Sequence, residues 1–355
     1  MSSVRLCALG LVVMALLADL TTSGISRAAE TALAIEAQDL LQIPVDQRRR
    51  LRRGEIASYP LTENSEREIA VGLAMIVPTQ VSQIAQYLAS GQIIAQDSSI
   101  GEFALVPAEL ASGSMIGPGF TPGERDEALS LLEATPGTRF NLSLAEIDAL
   151  RTARSSGGSS SRTGVADIAS DTYRRLLGLR VQSYRQTGLA GIASYARAGG
   201  AATDPAVDLR LAVSDAERIG RAGSEFREAL QRYPADQPAQ LVSQVYWVKR
   251  RVQRRPHMSL LHRMVATGEG PAIHLERYFY VGHSYNSMQA LTWALAYEDG
   301  TMVFLTTRVS TDEVLGVGSQ LKRSVARGQV RDEMRTRLER LRSAVAGRPV
   351  VTESP

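Results

Sequence analysis

Residues 257–346 restrict the possible folds more than any other stretch, because four strand-like runs lead straight into one long amphipathic helix. After Pro256 the chain reads HMSLLHRMVAT, PAIHLERYFYVG, HSYNSMQALTWALAYE and TMVFLTTRVST, with Gly268-Glu269-Gly270 and Asp299-Gly300 among the breaks. An Asp-Gly pair between two β-rich runs is a strong hairpin signal, so the four runs predict an antiparallel meander. Strand alternation puts Ile273, Leu275, Phe279 and Val281 on one face, with Arg277 among them. His274, Glu276, Tyr278 and Tyr280 fall on the other face. The helix that follows, from about Gly318 to Ala346, carries Leu321, Val325, Val330, Met334, Leu338, Leu341 and Val345 near one stripe, with Arg and Glu opposite. Such a stripe must be laid on the sheet. The fold class expected is α+β: an antiparallel sheet gripping a long C-terminal helix, with an inserted helical region. Small residues at Ala290, Ala294 and Ala296 leave room for a cavity between sheet and helix; the alternative is a filled core.

The N-terminus bounds the compartment. Arg5, the apolar run Leu6 to Ala18 and the small residues of Ser26-Arg27-Ala28 read as a secretory signal peptide, residues 1–28, cleaved after Ala28. An uncleaved anchor is the alternative, but the run is short and Asp19 breaks it. The single cysteine, Cys7, lies inside this segment, so a processed chain holds no disulfide, thiolate nucleophile or cysteine-bound metal. The expected location is the periplasm. A net charge of +3 excludes the strongly basic profile of a nucleic-acid-binding protein. Two local basic clusters, QRRRLRR at 47–53 and KRRVQRR at 249–255, read as solvated faces, with contact to anionic lipid headgroups as the alternative.

Between these ends the chain divides into a helical lead-in at 29–58, an α/β segment at 59–153, a flexible linker at 154–164, a helical insertion at 165–240, the meander and C-terminal helix at 241–346, and a disordered tail at 347–355. REIAVGLAMIVP reads as a strand and TQVSQIAQYLA, capped by Thr79, as a helix; IGEFALVP is a short strand. Ser143 with Glu146 forms a capping box, and Asp204 followed by Pro205 opens another helix. The linker RSSGGSSSRTG is composed of residues that bury almost nothing.

Strand, proline, helix, then strands with an insertion, then a meander and a long terminal helix: in this order the chain resembles the START-like superfamily, the helix-grip fold of polyketide cyclases and lipid-transfer proteins. The resemblance is carried by REIAVGLAMIVPTQVSQIAQYL and by the last block, about half the mature chain. It implies that 59–153 is the first part of a START-like domain and that the sheet encloses a hydrophobic ligand. NLSLAEIDAL, YWVKRR, SLLHRM and YFYVGHSYNSMQAL also look like segments of a set of exported bacterial proteins, a likeness that implies no activity.

The candidate ligand-binding residues are Arg277, His283, Tyr285, His262 and Tyr280. His283-Ser284-Tyr285-Asn286 is the densest polar cluster near a strand junction, and Arg277 interrupts an apolar face, so together they suit the polar head of a greasy ligand. The four histidines, His257, His262, His274 and His283, lack metal-ligand spacing, and no G-x-S-x-G elbow is present. The expectation is therefore an exported binding or carrier protein for a hydrophobic or lipid-like small molecule, without metal, cofactor or catalytic residues, and with membrane-surface contact as an option. The alternatives are an enzyme on the same scaffold (cyclase, hydrolase or isomerase, with His283 or His262 as general base) and an envelope interaction module.

Overall fold

The computed structural model describes residues 31–346 apart from 112, 157–161, 214–223, 236, 239 and 267–269. The expected signal peptide, the tail expected to be disordered and the centre of the 154–164 linker lie outside the described residues; within that linker, helix runs to Ser156 and resumes at Arg162.

Ten strands are described: β1 (Ala57–Tyr59), β2 (Glu68–Val77), β3 (Ile100–Leu105), β4 (Tyr195–Ala196), β5 (Ala202–Thr203), β6 (Leu241–Val252), β7 (Arg255–Ala266), β8 (Ala272–Val281), β9 (Ser287–Tyr297) and β10 (Gly300–Ser310). Eight form one antiparallel sheet in the order β1-β2-β10-β9-β8-β7-β6-β3, and β4 and β5 make a separate small hairpin. The helices are α1 (31–40), α2 (Val45–Arg52), α3 (Val81–Ala89), α4 (Gln92–Ala95), α5 (Arg125–Leu132), α6 (Leu144–Ser156), α7 (Arg162–Thr187), α8 (Pro205–Ala212), α9 (Ser224–Arg232) and α10 (Ser319–Ala346). This is an α+β protein in which the long terminal helix lies on the sheet.

The meander has five strands, not four. Leu241–Val252 pairs with β7 along its whole length, and KRRVQRR is the end of β6, the two-residue turn Gln253-Arg254 with positive φ (52° and 65°), and the first residue of β7. That cluster is not a uniformly solvated face. Lys249 and Arg250 are buried on opposite faces of β6, Lys249 on Glu124 at 2.8 Å, while Arg255 reaches Glu127 at 2.7 Å. The Asp-Gly hairpin also shifts by one residue. Gly300 pairs with Tyr297, so Glu298 and Asp299 make the turn, and a Cβ at Gly300 would stand 2.6 Å from the Val77 carbonyl of β2. Close approach of two backbones requires glycine there.

Both sheet faces are covered. On one, Met334, Leu338, Leu341 and Val345 of α10 and Ile84 and Leu88 of α3 pack with Val71, Leu73, Leu261, Ala290 and Ala294. On the other, α5, α6 and α7 pack on Met258, Leu260, Phe279 and Tyr280, while α1, α2 and α9 cover Trp293, Phe304 and Leu291. Hence β8 is buried from end to end.

Local capping follows the sequence. Asp204 Oδ1 accepts from the Ala206 N–H at 2.9 Å with Pro205 behind it, and the Ser143 N–H donates to Glu146 Oε2 at 2.7 Å. Glu146 Oε2 also accepts from Arg180 of α7 at 2.5 Å, so one carboxylate caps α6 and ties α7 to it. Thr79 is not a cap: α3 begins after Gln80, without a side-chain cap bond.

Candidate functional site

A cavity of about 1040 Å³ lies between the sheet and the N-terminal half of α10. It arises because the apolar stripe of α10 is used only in part. Met334, Leu338, Leu341 and Val345 are buried, whereas Leu321 is 71 % and Val325 52 % exposed. The three alanines expected to line the space do not; Ala290 and Ala294 are packed in the core under the C-terminal half of the helix, where their low profile lets the helix sit close. The open half is walled by Val252, Tyr278, Met288 and Val309 of the sheet, by Tyr285 of the β8–β9 connection, by Ile93, Ile94 and Ile100, and by Leu321, Val325, Ala326 and Val330 of α10. Its volume is at the upper end of the range of about 300–1,000 Å³ usual for small-molecule sites.

Charged groups surround Arg250 on this wall. Arg250 is 8 % exposed; its Nη2 donates to the Tyr278 hydroxyl at 2.8 Å, and its guanidinium lies 5.3 Å from the centre of that ring. The nearest carboxylate, Asp97, is 4.0 Å from Nη1, beyond hydrogen-bond reach, and Arg250 Nε has no partner. From the helix, Arg337 Nη1 donates to Glu276 Oε2 at 2.6 Å, leaving Nη2 unpaired. Glu333, on the same helix, opens into the cavity. Burial raises its carboxyl above the ordinary range, with Arg250 opposing the rise. Burial likewise raises the Tyr278 and Tyr285 phenols, so both keep their protons at neutral pH.

Of the five residues singled out from sequence, only Tyr285 lines this cavity. Arg277 lies on the opposite face, wholly buried under α7, where Nη1 donates to the Tyr184 hydroxyl at 3.3 Å and Nε to Gln289 at 3.1 Å. Tyr184 in turn meets His262 Nδ1 at 2.8 Å, and His262 Nε2 meets Ser243 at 2.9 Å, so His262 closes a chain of structural hydrogen bonds. Tyr280 bonds the Tyr173 hydroxyl at 2.8 Å, with Arg180 stacked 4.1 Å from its ring. Strand alternation had placed Tyr280 beside Tyr278. A β-bulge moves it: Leu260 faces Tyr280 and Leu261 faces Tyr278, so Phe279 is the extra residue, and beyond it Tyr280 and Val281 exchange faces. His283 sits past the end of β8, its Nδ1 2.6 Å from Ser284 Oγ and its Nε2 donating to the Pro256 carbonyl at 3.1 Å. Burial, helped by Arg255, lowers it to about 4. Arg277 and His283 thus do not converge on one ligand head.

Arg250, Glu333, Arg337 and Asp97 were not foreseen as site residues. For Arg250 a signal existed: in LVSQVYWVKRRV the even positions 246, 248 and 250 share a face once the run is read as a strand. The run of positive charge concealed it. Among the described residues no group of three His, Cys, Asp or Glu converges as metal ligands, and no histidine lines the cavity. Comparison of the chain with family models, with curated proteins and with solved structures returned no match.

Proposed function

We propose that this protein is an exported carrier that shelters a hydrophobic, lipid-like small molecule between its sheet and α10. The observation that carries this reading is the 1040 Å³ cavity, whose wall combines an apolar stretch from the sheet and α10 with charged groups around Arg250. The strand order β2-β10-β9-β8-β7-β6-β3, with α3 and α4 after the first long strand and α10 last, supports the helix-grip resemblance. A carrier is favoured over an enzyme because the two imidazoles considered as general bases, His262 and His283, lie away from the cavity wall. Export rests on the signal-peptide pattern of residues 1–28.

The mouth of the cavity suits loading at a bilayer. Leu321 and Val325 line the cavity one helical turn apart, 71 % and 52 % exposed, and Val317, 97 % exposed between Gly316 (φ 75°) and Gly318 (φ 74°), lies just before them in the chain. An apolar lip of this kind, with Lys322 and Arg251 also on the cavity wall, fits the interface of an anionic membrane. The test is to incubate delipidated protein with vesicles of phosphatidylglycerol containing free fatty acid, separate the two, and weigh the protein by native mass spectrometry. One bound acyl molecule per chain is expected, acquired several-fold more slowly by Val317→Asp. A bare chain mass after incubation contradicts the carrier reading, and equal rates contradict the role of the lip.

A further inference from the structure

The cavity wall holds a cation whose surroundings do not satisfy it. Arginine stays protonated in proteins, so burial does not neutralise Arg250. Its five donors meet one phenol, through Nη2, and a carboxylate that is too distant for a hydrogen bond, while Nε meets nothing. An arginine 8 % exposed on the wall of a large cavity, its Nη1 in no hydrogen bond to the protein, is placed to dock an anion. We infer that the ligand carries a single carboxylate, which docks on Arg250 while its hydrocarbon body lies along Met288, Val325 and Val330.

This inference rests on the carrier reading and names the class of ligand: a long-chain carboxylic acid. The acidic groups beside Arg250 favour a monoanion there. Asp97 stands 4.0 Å from Arg250, and Glu333 faces the same space. Neither leaves room for the second negative charge of a phosphate monoester. Glu333 opens into the same space with its carboxyl raised against the pull of Arg250, so it takes up a proton beside a bound carboxylate more readily than an ordinary glutamate. Tyr278, which keeps its proton, holds the guanidinium plane in place from one side.

The test is calorimetric titration of delipidated protein with palmitate, hexadecanol, dodecyl phosphate and inorganic phosphate, for wild type, Arg250→Met and Arg250→Lys. Palmitate is expected to bind wild type at least about tenfold more tightly than hexadecanol, the gain typical of a buried hydrogen bond to a charged group. Arg250→Met removes that preference and leaves hexadecanol affinity unchanged, whereas Arg250→Lys keeps part of it. Equal wild-type affinities for palmitate and hexadecanol overturn the carboxylate inference and leave the carrier reading standing; failure of every long-chain probe to bind overturns the carrier reading itself. Tighter binding of dodecyl phosphate than of palmitate, or binding of inorganic phosphate alone, also contradicts the inference. Should Arg250→Met fail to fold, Glu333→Gln, which alters a group open to the cavity, serves instead. It is expected to tighten palmitate binding several-fold above pH 7 and to leave hexadecanol unmoved, and no change in either overturns the inference.

Discussion

Acidification from neutral pH toward pH 4 strips this protein of stability well before its carboxylates lose their partners. Burial holds His257, His262 and His274 well below the ordinary value of 6.5, reinforced by His283 and Arg250 at His257, by Arg277 at His262, and by Arg263 at His274; His283 is lowered to about 4. At His274 the hydrogen bond demands a neutral ring. Arg263 Nε donates to His274 Nε2 at 3.1 Å, which a protonated imidazole could not accept. With folded values depressed, the unfolded chain binds more protons between its own value near 6.5 and the folded values. The stability due to these groups is therefore complete above pH 6.5 and is lost as pH falls toward 4. Each histidine contributes roughly 1 kcal/mol per pH unit in that window. Asp208 and Glu333, both raised by burial, act in the opposite direction, but two carboxyls do not cancel four imidazoles. Glu63, Glu124 and Asp312, all lowered by their cationic partners despite burial, lose their contribution only at more acidic pH, below the ordinary carboxylate range. Denaturant unfolding at a series of pH values should give a slope of about two net protons between pH 6.5 and 5, reduced by His274→Gln. A flat profile across that interval would contradict the neutral, buried placement of these rings.

Filling the cavity is expected to separate binding from stability. Ala326 is on the α10 wall, facing open space, so Ala326→Trp should lower affinity for a long-chain ligand at least about a hundredfold while changing unfolding free energy by no more than about 1 kcal/mol. Ala290, 2 % exposed in the packed part of the same core, is the control. Ala290→Trp forces a large side chain into filled volume and should cost at least about 3 kcal/mol. Calorimetric titration and denaturant unfolding on both variants check this. If the two substitutions destabilise equally, the space beneath α10 is packed core and the carrier reading fails with it.

The pattern of success in reading the sequence has a physical cause. The C-terminal half of the α10 stripe, the capping box at Ser143 and the Asp204-Pro205 helix start depend on chemistry within a few residues, and each appears where its spacing places it. What depends on a partner strand was not legible. The extra residue at Phe279 is set by pairing with Leu260 and Leu261, and it alone moves Tyr280 from the helix side of the sheet to the insertion side. Arg277 interrupts an apolar face because α7 covers that face and supplies Tyr184 as its partner, a contact between residues 93 positions apart. The cavity lies over the N-terminal half of α10 rather than over the alanines for a similar reason. Small side chains let the helix approach and fill the gap, so the space opens where α10 parts from the sheet beside Tyr278, Tyr285 and Met288.

The placement of Met288 offers the most direct measurement. Met288 is on the cavity wall; Met258 and Met264 are buried on the opposite face of the sheet, and Met334 is in the packed half of the helix interface. In a spectrum of protein labelled at its methionine methyl groups, a long-chain carboxylate should shift Met288 strongly and leave Met258 and Met264 in place. Shifts at Met258 or Met264 with Met288 unmoved, or no shift at saturating ligand, would contradict a ligand held between the sheet and α10.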